Sequence, residues 1–320
     1  MCNKTKKHQA PGRADREGLS VIELFKMFPD DKSARKWMEE LRWPTGERHC
    51  PVCGSLNTKV VPKEKPMPYH CGDCRKYFSV KTGTVMQSSK IGLQKWVIAI
   101  YLMSTSLKGV SSMKLHRDLG VTQKTAWHLA QKIRQGWLEG QDDGKLDGPV
   151  EIDETYIGGS EKNRHRSKRL KLGGGTVGKE AVVGAVDRDG EIRVKHIKTA
   201  NQKTLHGFIE DNIEDGAIIY TDEWRGYNGL SDWYKHETVK HSVGEYVNGM
   251  AHTNGIESFW ATLKRGYKGT YHKMSPKHLS RYITEFAGRH NVRDFDTIVQ
   301  MEMLAKGFVG KRLRYKDLIA

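Results

Sequence analysis

The sequence predicts a multidomain α+β chain, in which a cysteine-knuckle module and a run of helices precede an α/β domain built on a mixed sheet. Three observations carry this reading. Two CxxC pairs lie close together in the first quarter of the chain. Residues 91–136 keep helical spacing throughout. After residue 150 the texture turns β-rich, interrupted by an amphipathic helix.

A length of 320 residues suits two or three domains. With 37% hydrophobic residues the chain can build a proper core. The net charge is +16, and it is uneven: residues 1–90 carry 18 basic against 10 acidic side chains. Such a balance favours polyanionic partners, because each neutralised phosphate releases counterions. A merely soluble basic protein is the competing reading. The longest apolar run, WVIAIYLM at 96–103, has eight residues, where roughly 20 are needed to cross a bilayer. MCNKTKKHQAPGRADREG lacks the apolar segment of a signal peptide. The expectation is a cytoplasmic protein with no membrane partner, in a reducing compartment where paired cysteines hold metal rather than disulfides.

Residues 1–18, which include Cys2, read as a disordered basic tail. In the next region, 19–90, LSVIELFKMF (19–28) and SARKWMEELRW (33–43) predict two short amphipathic helices, broken at Pro29-Asp30. Cys50-Pro-Val-Cys53-Gly and Cys71-Gly-Asp-Cys74 follow. Two such knuckles supply four thiolates, the number a tetrahedral structural Zn²⁺ requires. His49 and His70 are rival ligands, but the cysteines already complete the tetrahedron. Tyr77-Phe78-Ser79-Val80 predicts a strand after the second knuckle.

Residues 91–140 predict a helix-turn-helix region. IGLQKWVIAIYLMS forms a buried helix, Ser111 to Asp118 a second, Gly120 a turn, and Thr122 caps a third. In the third helix Ala126, Leu129, Ala130 and Ile133 face inward. Gln123, Lys124, Thr125, His128, Gln131 and Lys132 are left outward. A short helix, a glycine turn and a helix with exposed polar groups is the plan that places a recognition helix in a major groove. Gln123, Lys124, Thr125, His128 and Lys132 are therefore candidate DNA contacts. The competing reading is three helices packed for stability alone. QDDGKLDGP (141–149) reads as a linker.

The region 150–295 is where chemistry is expected. VEIDETYIGG (150–159), EAVVGAVDRDG (180–190) and EIRVKHIKTA (191–200) predict strands, with a hairpin turn at Asp189-Gly190. NQKTLHGFIEDNIE (201–214) predicts a helix with Leu205, Phe208, Ile209 and Ile213 inward, and AIIYTDEWRGY (217–227) another strand. Then HTNGIESFWATLKRGYKGTYHK (252–273) predicts a helix with an apolar stripe at Ile256, Phe259, Trp260, Leu263 and Tyr267. Strand, strand, strand, helix, strand, helix is the order of a ribonuclease-H-like fold. The first helix allows the parallel crossover its mixed sheet needs. That topology brings Asp153 in the first strand, Asp222 ending the fourth and Glu257 opening the last helix to one end of the sheet. Phosphoryl transfer by two metal ions roughly 4 Å apart requires such a carboxylate set, and hard Mg²⁺ prefers carboxylate oxygen. Glu154 and Glu223, next to two of these acids, point the other way in regular strands.

With these motifs in view, the chain resembles the DDE transposases of bacterial and archaeal insertion sequences, in the ISXO-like group that carries an N-terminal zinc ribbon. The likeness runs from about residue 19 onward. It rests on FPDDKSARKWMEELRWP, CPVCGS, CGDCRKYFSVKTGTVM, GVTQKTAWHLAQKIR, IDETYIGG, YTDEWRGY and the 252–273 segment. It implies that Asp153, Asp222 and Glu257 are the first, second and third acids, with 34 residues between Asp222 and Glu257. Lys264 matches a basic residue these enzymes carry. Members of the group with Asn at the third position make Asn254, one helical turn earlier, the competing third ligand. The resemblance further implies a transposase that binds the terminal inverted repeats of its element. It would cleave and join double-stranded DNA with two Mg²⁺ ions, for which Mn²⁺ can substitute. It also implies a homodimer or larger assembly on paired ends, associated with the nucleoid. A nuclease or resolvase of the same fold would use the same acids, and a non-enzymatic zinc-dependent DNA-binding regulator would need only residues 1–147.

The remaining basic segments fit DNA as partner. Residues 160–180 hold seven Lys/Arg against two Glu, with a GGG break. This predicts a mobile cationic loop in which Arg164, Arg166, Lys168 and Arg169 contact phosphates without reading sequence; a solvated charge run is the alternative. Residues 296–320 read as a C-terminal basic tail.

Overall fold

The computed structural model describes residues 16–137, 144–170, 175–238 and 253–320. Most of the expected N-terminal tail, with Cys2, lies outside the described residues, as does the start of the linker. The chain divides into two compact units: Met1–Ser106 with Val110–Gly140 and Val292–Ala320, and Leu107–Gly109 with Gln141–Asn291.

The first unit opens with helices α1 (Val21–Met27) and α2 (Asp31–Arg42). Each starts in a reciprocal capping box, Ser20 with Glu23 and Asp30 with Ser33, so backbone donors that the helix leaves unpaired find oxygen. Three short antiparallel strands follow: β1 (Thr58–Val60), β2 (Tyr69–Cys71) and β3 (Tyr77–Phe78). Helices α3 (Leu93–Thr105), α4 (Ser112–Leu119) and α5 (Gln123–Arg134) come next. Gly120 ends α4 in the left-handed conformation (φ 58°), and the Thr122 hydroxyl accepts from the Thr125 N–H at 3.2 Å to start α5.

The second unit is a five-stranded mixed sheet in the order β6-β5-β4-β7-β8. Its strands are β4 (Val150–Ile157), β5 (Glu180–Asp187), β6 (Ile192–Ile197), β7 (Ile218–Thr221) and β8 (Lys235–Thr238). β4, β5 and β6 run antiparallel, and β7 and β8 join parallel to β4. The crossover from β6 to β7 contains helix α6 (Gln202–Asn212). Helices α7 (Asn254–Gly266) and α8 (Leu279–Asn291) complete the unit. Alternation along the strands feeds two separate cores. Val150, Ile152, Val183 and Ile219 pack with Leu205, Phe208 and Ile209 of α6. Val182, Val186 and Ile192 pack with Ile256, Trp260 and Leu263 of α7 and with Ile283 and Phe286 of α8. The sheet is thus covered by helix on both faces, a layering consistent with a ribonuclease-H-like fold. β8 was not expected. Its sequence, Lys-His-Glu-Thr, has no apolar residue, and it sits at the sheet edge, where a strand need bury little.

The C-terminal segment corrects the expectation of a tail. Residues Thr297–Lys306 form helix α9, and Tyr315–Ile319 form α10. Met301, Leu304 and Phe308 are fully buried in the same core as Trp96, Val97 and Ile100 of α3. The spacing of these apolar residues places them on one helical face, and burying them outweighs the solvation of the surrounding charges.

Candidate functional site

In the first unit the two knuckles bring four sulfurs together. Cys50 Sγ lies 3.7 Å from Cys74 Sγ, Cys53 Sγ lies 3.6 Å from Cys71 Sγ, and all four fall within 4.8 Å of one another. A tetrahedron with Zn–S bonds of about 2.3 Å has edges of about 3.8 Å, so the cluster fits a structural zinc ion. Asp73 ties the knuckles together by accepting from the Asn57 side-chain amide at 2.7 Å and from the Ser55 hydroxyl. Gly72 permits this closeness, since a Cβ there would fall 2.5 Å from the Asn57 amide.

In the second unit Glu151 and Asp153 sit on the face of β4 that meets α7. Asp153 pairs in register with Gly184 of β5. A Cβ on Gly184 would meet Trp260 at 2.8 Å, so α7 crosses the sheet close to this pair. Asp222 follows the last residue of β7. The parallel register sets Tyr220 beside Glu151, and two residues on, Asp222 is carried toward Asp153. Asp222 Oδ1 accepts from the Trp224 N–H at 2.9 Å. Glu257 stands exposed in the first turn of α7, where its Oε1 accepts from the Thr253 hydroxyl at 3.1 Å.

Electrostatics tie the three acids together. Burial, followed by the charges of Glu154, Asp222 and, more weakly, Glu257, pushes the Asp153 carboxyl up to about 7, against one favourable hydrogen bond from the Glu154 N–H at 2.8 Å. Like charges crowd this carboxyl, and a divalent cation would relieve them. The three carboxylates do not form a tight knot. Among the described residues the four cysteines are the group of three or more ligand atoms that all lie within 4.8 Å of one another.

Glu154 turns to the opposite face, where the buried Tyr227 hydroxyl donates to its Oε2 at 2.7 Å. Asn254, the first residue of α7, and Lys264, in its last turn, are exposed. In the basic loop Arg164 donates to the Gly178 carbonyl at 3.0 Å, and Arg169 to the Arg164 and Lys162 carbonyls at 3.1 and 2.6 Å. These two arginines hold the loop, while Arg166 and Lys168 are exposed in a short 3-10 turn. Lys171 and the GGG break lie largely outside the described residues.

One residue that matters here carries no motif of its own in the sequence. Glu151 is 3% exposed, and its Oε2 accepts from the N–H groups of Gly255 at 2.8 Å and Ile256 at 3.1 Å. Arg188 donates to its Oε1 at 3.1 Å. Its signal was a carboxylate between Val150 and Ile152 in a strand with little room for exposure.

On the third helix the expectation of an outward polar face is overturned in part. Gln123 and Lys124 are exposed, but Gln131 is fully buried and Lys132 is 7% exposed. One turn earlier on the helix, Tyr315 of the C-terminal segment packs edge-on to Trp127 and His128, and the Lys124 ammonium lies 4.5 Å from its ring centroid.

The comparisons agree with this architecture. Residues 145–291 match the ISXO2-like transposase domain, and residues 29–77, spanning all four cysteines, match the transposase zinc-ribbon domain. The chain belongs to the ISXO2-like transposase family of insertion sequences. It is 30% identical over 285 residues to an uncharacterized protein in transposable element ISH50 of Halobacterium salinarum, covering 84% of this chain and 93% of the relative. It is also 25% identical over 113 residues to an uncharacterized transposase-like protein of Haemophilus influenzae, covering 35% of this chain and 90% of that one. Among the described residues no helix is long and apolar enough to cross a membrane.

Proposed function

We propose that this transposase cleaves the ends of its insertion sequence and joins them to target DNA, using Asp153, Asp222 and Glu257 in a ribonuclease-H-like domain. The observation that supports this most is the convergence of the three acids from β4, the end of β7 and the start of α7, with Asp153 pushed up to about 7 by burial and by its acidic neighbours. Such a carboxyl is half protonated near neutral pH and is poised to exchange its proton for a divalent cation. Two Mg²⁺ (or Mn²⁺) ions, once bound, would activate a water or a 3′-hydroxyl and neutralise charge on the phosphate under attack. Asp153, Asp222 and Glu257 would supply the carboxylate oxygens that hold these ions. Asn254 stands beside Glu257 as an amide ligand or substrate contact. Lys264, roughly 10 Å along the helix from Glu257, holds a phosphate, as do Arg166 and Lys168.

The zinc ribbon and the helix-turn-helix would bind the terminal repeats. Two element ends must meet, so the working form is a homodimer or larger, in the cytoplasm with the nucleoid. The test uses oligonucleotides carrying the element ends. Asp153→Asn, Asp222→Asn and Glu257→Gln are each expected to abolish cleavage and joining while end binding persists. A variant that joins strands at the normal rate removes its residue from the site. Cleavage without any joined product would favour a nuclease instead.

A further inference from the structure

We propose that a cavity walled by α5, the 88–91 turn and α10 binds a phosphate group. The cavity holds about 280 Å³, and its charged lining is all basic or histidine: Lys90, Lys124, Lys132 and His128, with no carboxylate. Lys90 and Lys124 are exposed, whereas Lys132 is buried. Among the described residues the Lys132 ammonium donates to a single acceptor, the Gln87 carbonyl, at 3.3 Å. Burial, followed by repulsion from Arg312 and Lys81, holds its pKa below the usual lysine value. Trp96, which lines the same cavity and is fully buried, has no acceptor for its indole N–H among the described residues, and His128 Nε2 likewise has no partner among them.

A buried ammonium without a counter-charge is a costly arrangement, since the desolvation of the ion is not returned by attraction to an opposite charge. Here the cost is raised by two further cations. An apolar side chain would serve packing better, so a lysine at this position needs a ligand to explain it. A phosphate supplies the missing negative charge and several acceptor oxygens at once. Lys124 and Lys90 attract it, Lys132 neutralises it, and the Tyr315 ring lies against the Lys124 ammonium and the His128 ring. The third helix thus offers a seat for a phosphate where its sequence suggested base contacts. The inference does not depend on the catalytic reading of the carboxylates. It rests on the DNA-binding reading only for one of two sources of the phosphate, the DNA backbone or free phosphate.

The test uses the full, zinc-loaded chain. Inorganic phosphate is titrated against chloride at equal ionic strength while the melting temperature is followed. The expected result is a saturable rise of roughly 2–3 °C at about ten times Kd, absent in Lys132→Met. In chloride that variant should melt at or above the wild-type temperature, because it removes an unpaired buried charge. A duplex arm then identifies the source. If DNA supplies the phosphate, Lys132→Met lowers the slope of log affinity against log salt by about one, and phosphate competes with the duplex. If free phosphate is the ligand, the slope is unchanged while the thermal response is lost. A wild-type chain that responds no more to phosphate than to chloride overturns the proposal, as does a variant that responds like wild type. Should Lys132→Met not fold, ³¹P line broadening with the wild-type chain decides by itself: saturable broadening supports the site, and none overturns it.

Discussion

Glu151 Oε2 accepts the backbone N–H of Gly255 at 2.8 Å, a bond that joins the start of β4 to the first turn of α7 across 104 residues of sequence. With the Ile256 N–H at 3.1 Å, it satisfies two of the donors that a helix N-terminus leaves unpaired, in a helix that has no side-chain N-cap. The negative carboxylate also faces the positive end of the helix dipole. Glu257 lies one and two residues beyond these donors, so the distance from Asp153 to Glu257 depends on this buried contact.

Replacing Glu151 should therefore damage both stability and chemistry. Glu151→Ala is expected to cost about 3–4 kcal/mol and Glu151→Gln about 1–2 kcal/mol, since the amide keeps an acceptor but loses the charge. Urea unfolding gives the stability. Faster exchange of the Gly255 and Ile256 amides in the Gln variant would locate the effect. An Ala variant as stable as wild type would deny Glu151 this role.

The raised Asp153 carboxyl predicts a pH dependence. Its value is about 7 in the folded chain, against about 3.9 when unfolded. Between those values the folded state binds the proton more tightly, so this group's contribution to stability falls as pH rises through the window. Asp153→Asn removes that penalty. The variant should match wild type near pH 4 and exceed it by roughly 1–3 kcal/mol at pH 8 in magnesium-free buffer. Added Mg²⁺ should stabilise wild type and narrow the difference. Parallel stability curves across this range would contradict the assignment.

Zinc should be structural for one unit alone. Native mass spectrometry should find one zinc per chain in wild type and none in Cys71→Ser. Hydrogen exchange should then rise through β1, β2 and β3, whose pairing frames the knuckles, and stay unchanged in β4 and β5. Full protection of the ribbon without metal would show that its hydrophobic contacts suffice.

The C-terminal helix yields a further expectation. Leu304 is fully buried among the residues that enclose Trp96. Leu304→Ala should cost about 2–4 kcal/mol in thermal or urea unfolding. A solvated tail would tolerate the change with no measurable loss.

These cases show where the sequence was legible. The paired cysteines, the strand order and the apolar stripe of α7 each rest on local spacing, and Ile256, Phe259, Trp260 and Leu263 are all buried. What was obscure depends on contacts distant in sequence. Ile298, Met301, Leu304 and Phe308 keep helical spacing, but the basic residues that follow them suggest a solvated tail. The periodicity of α5 alone places polar groups outward, and the packing of Tyr315 against that helix comes from far along the chain. Glu151 reads as an ordinary strand acid until the N-terminus of α7 is seen against it.

The measurement that tests the central claim most directly is anomalous scattering from crystals of the full chain grown with Mn²⁺ and DNA carrying an element end. Two manganese peaks roughly 4 Å apart are expected, held by the carboxylates of Asp153, Asp222 and Glu257. Manganese absent from these carboxylates, or held there with Glu257 turned away and Asn254 in its place, would contradict that claim.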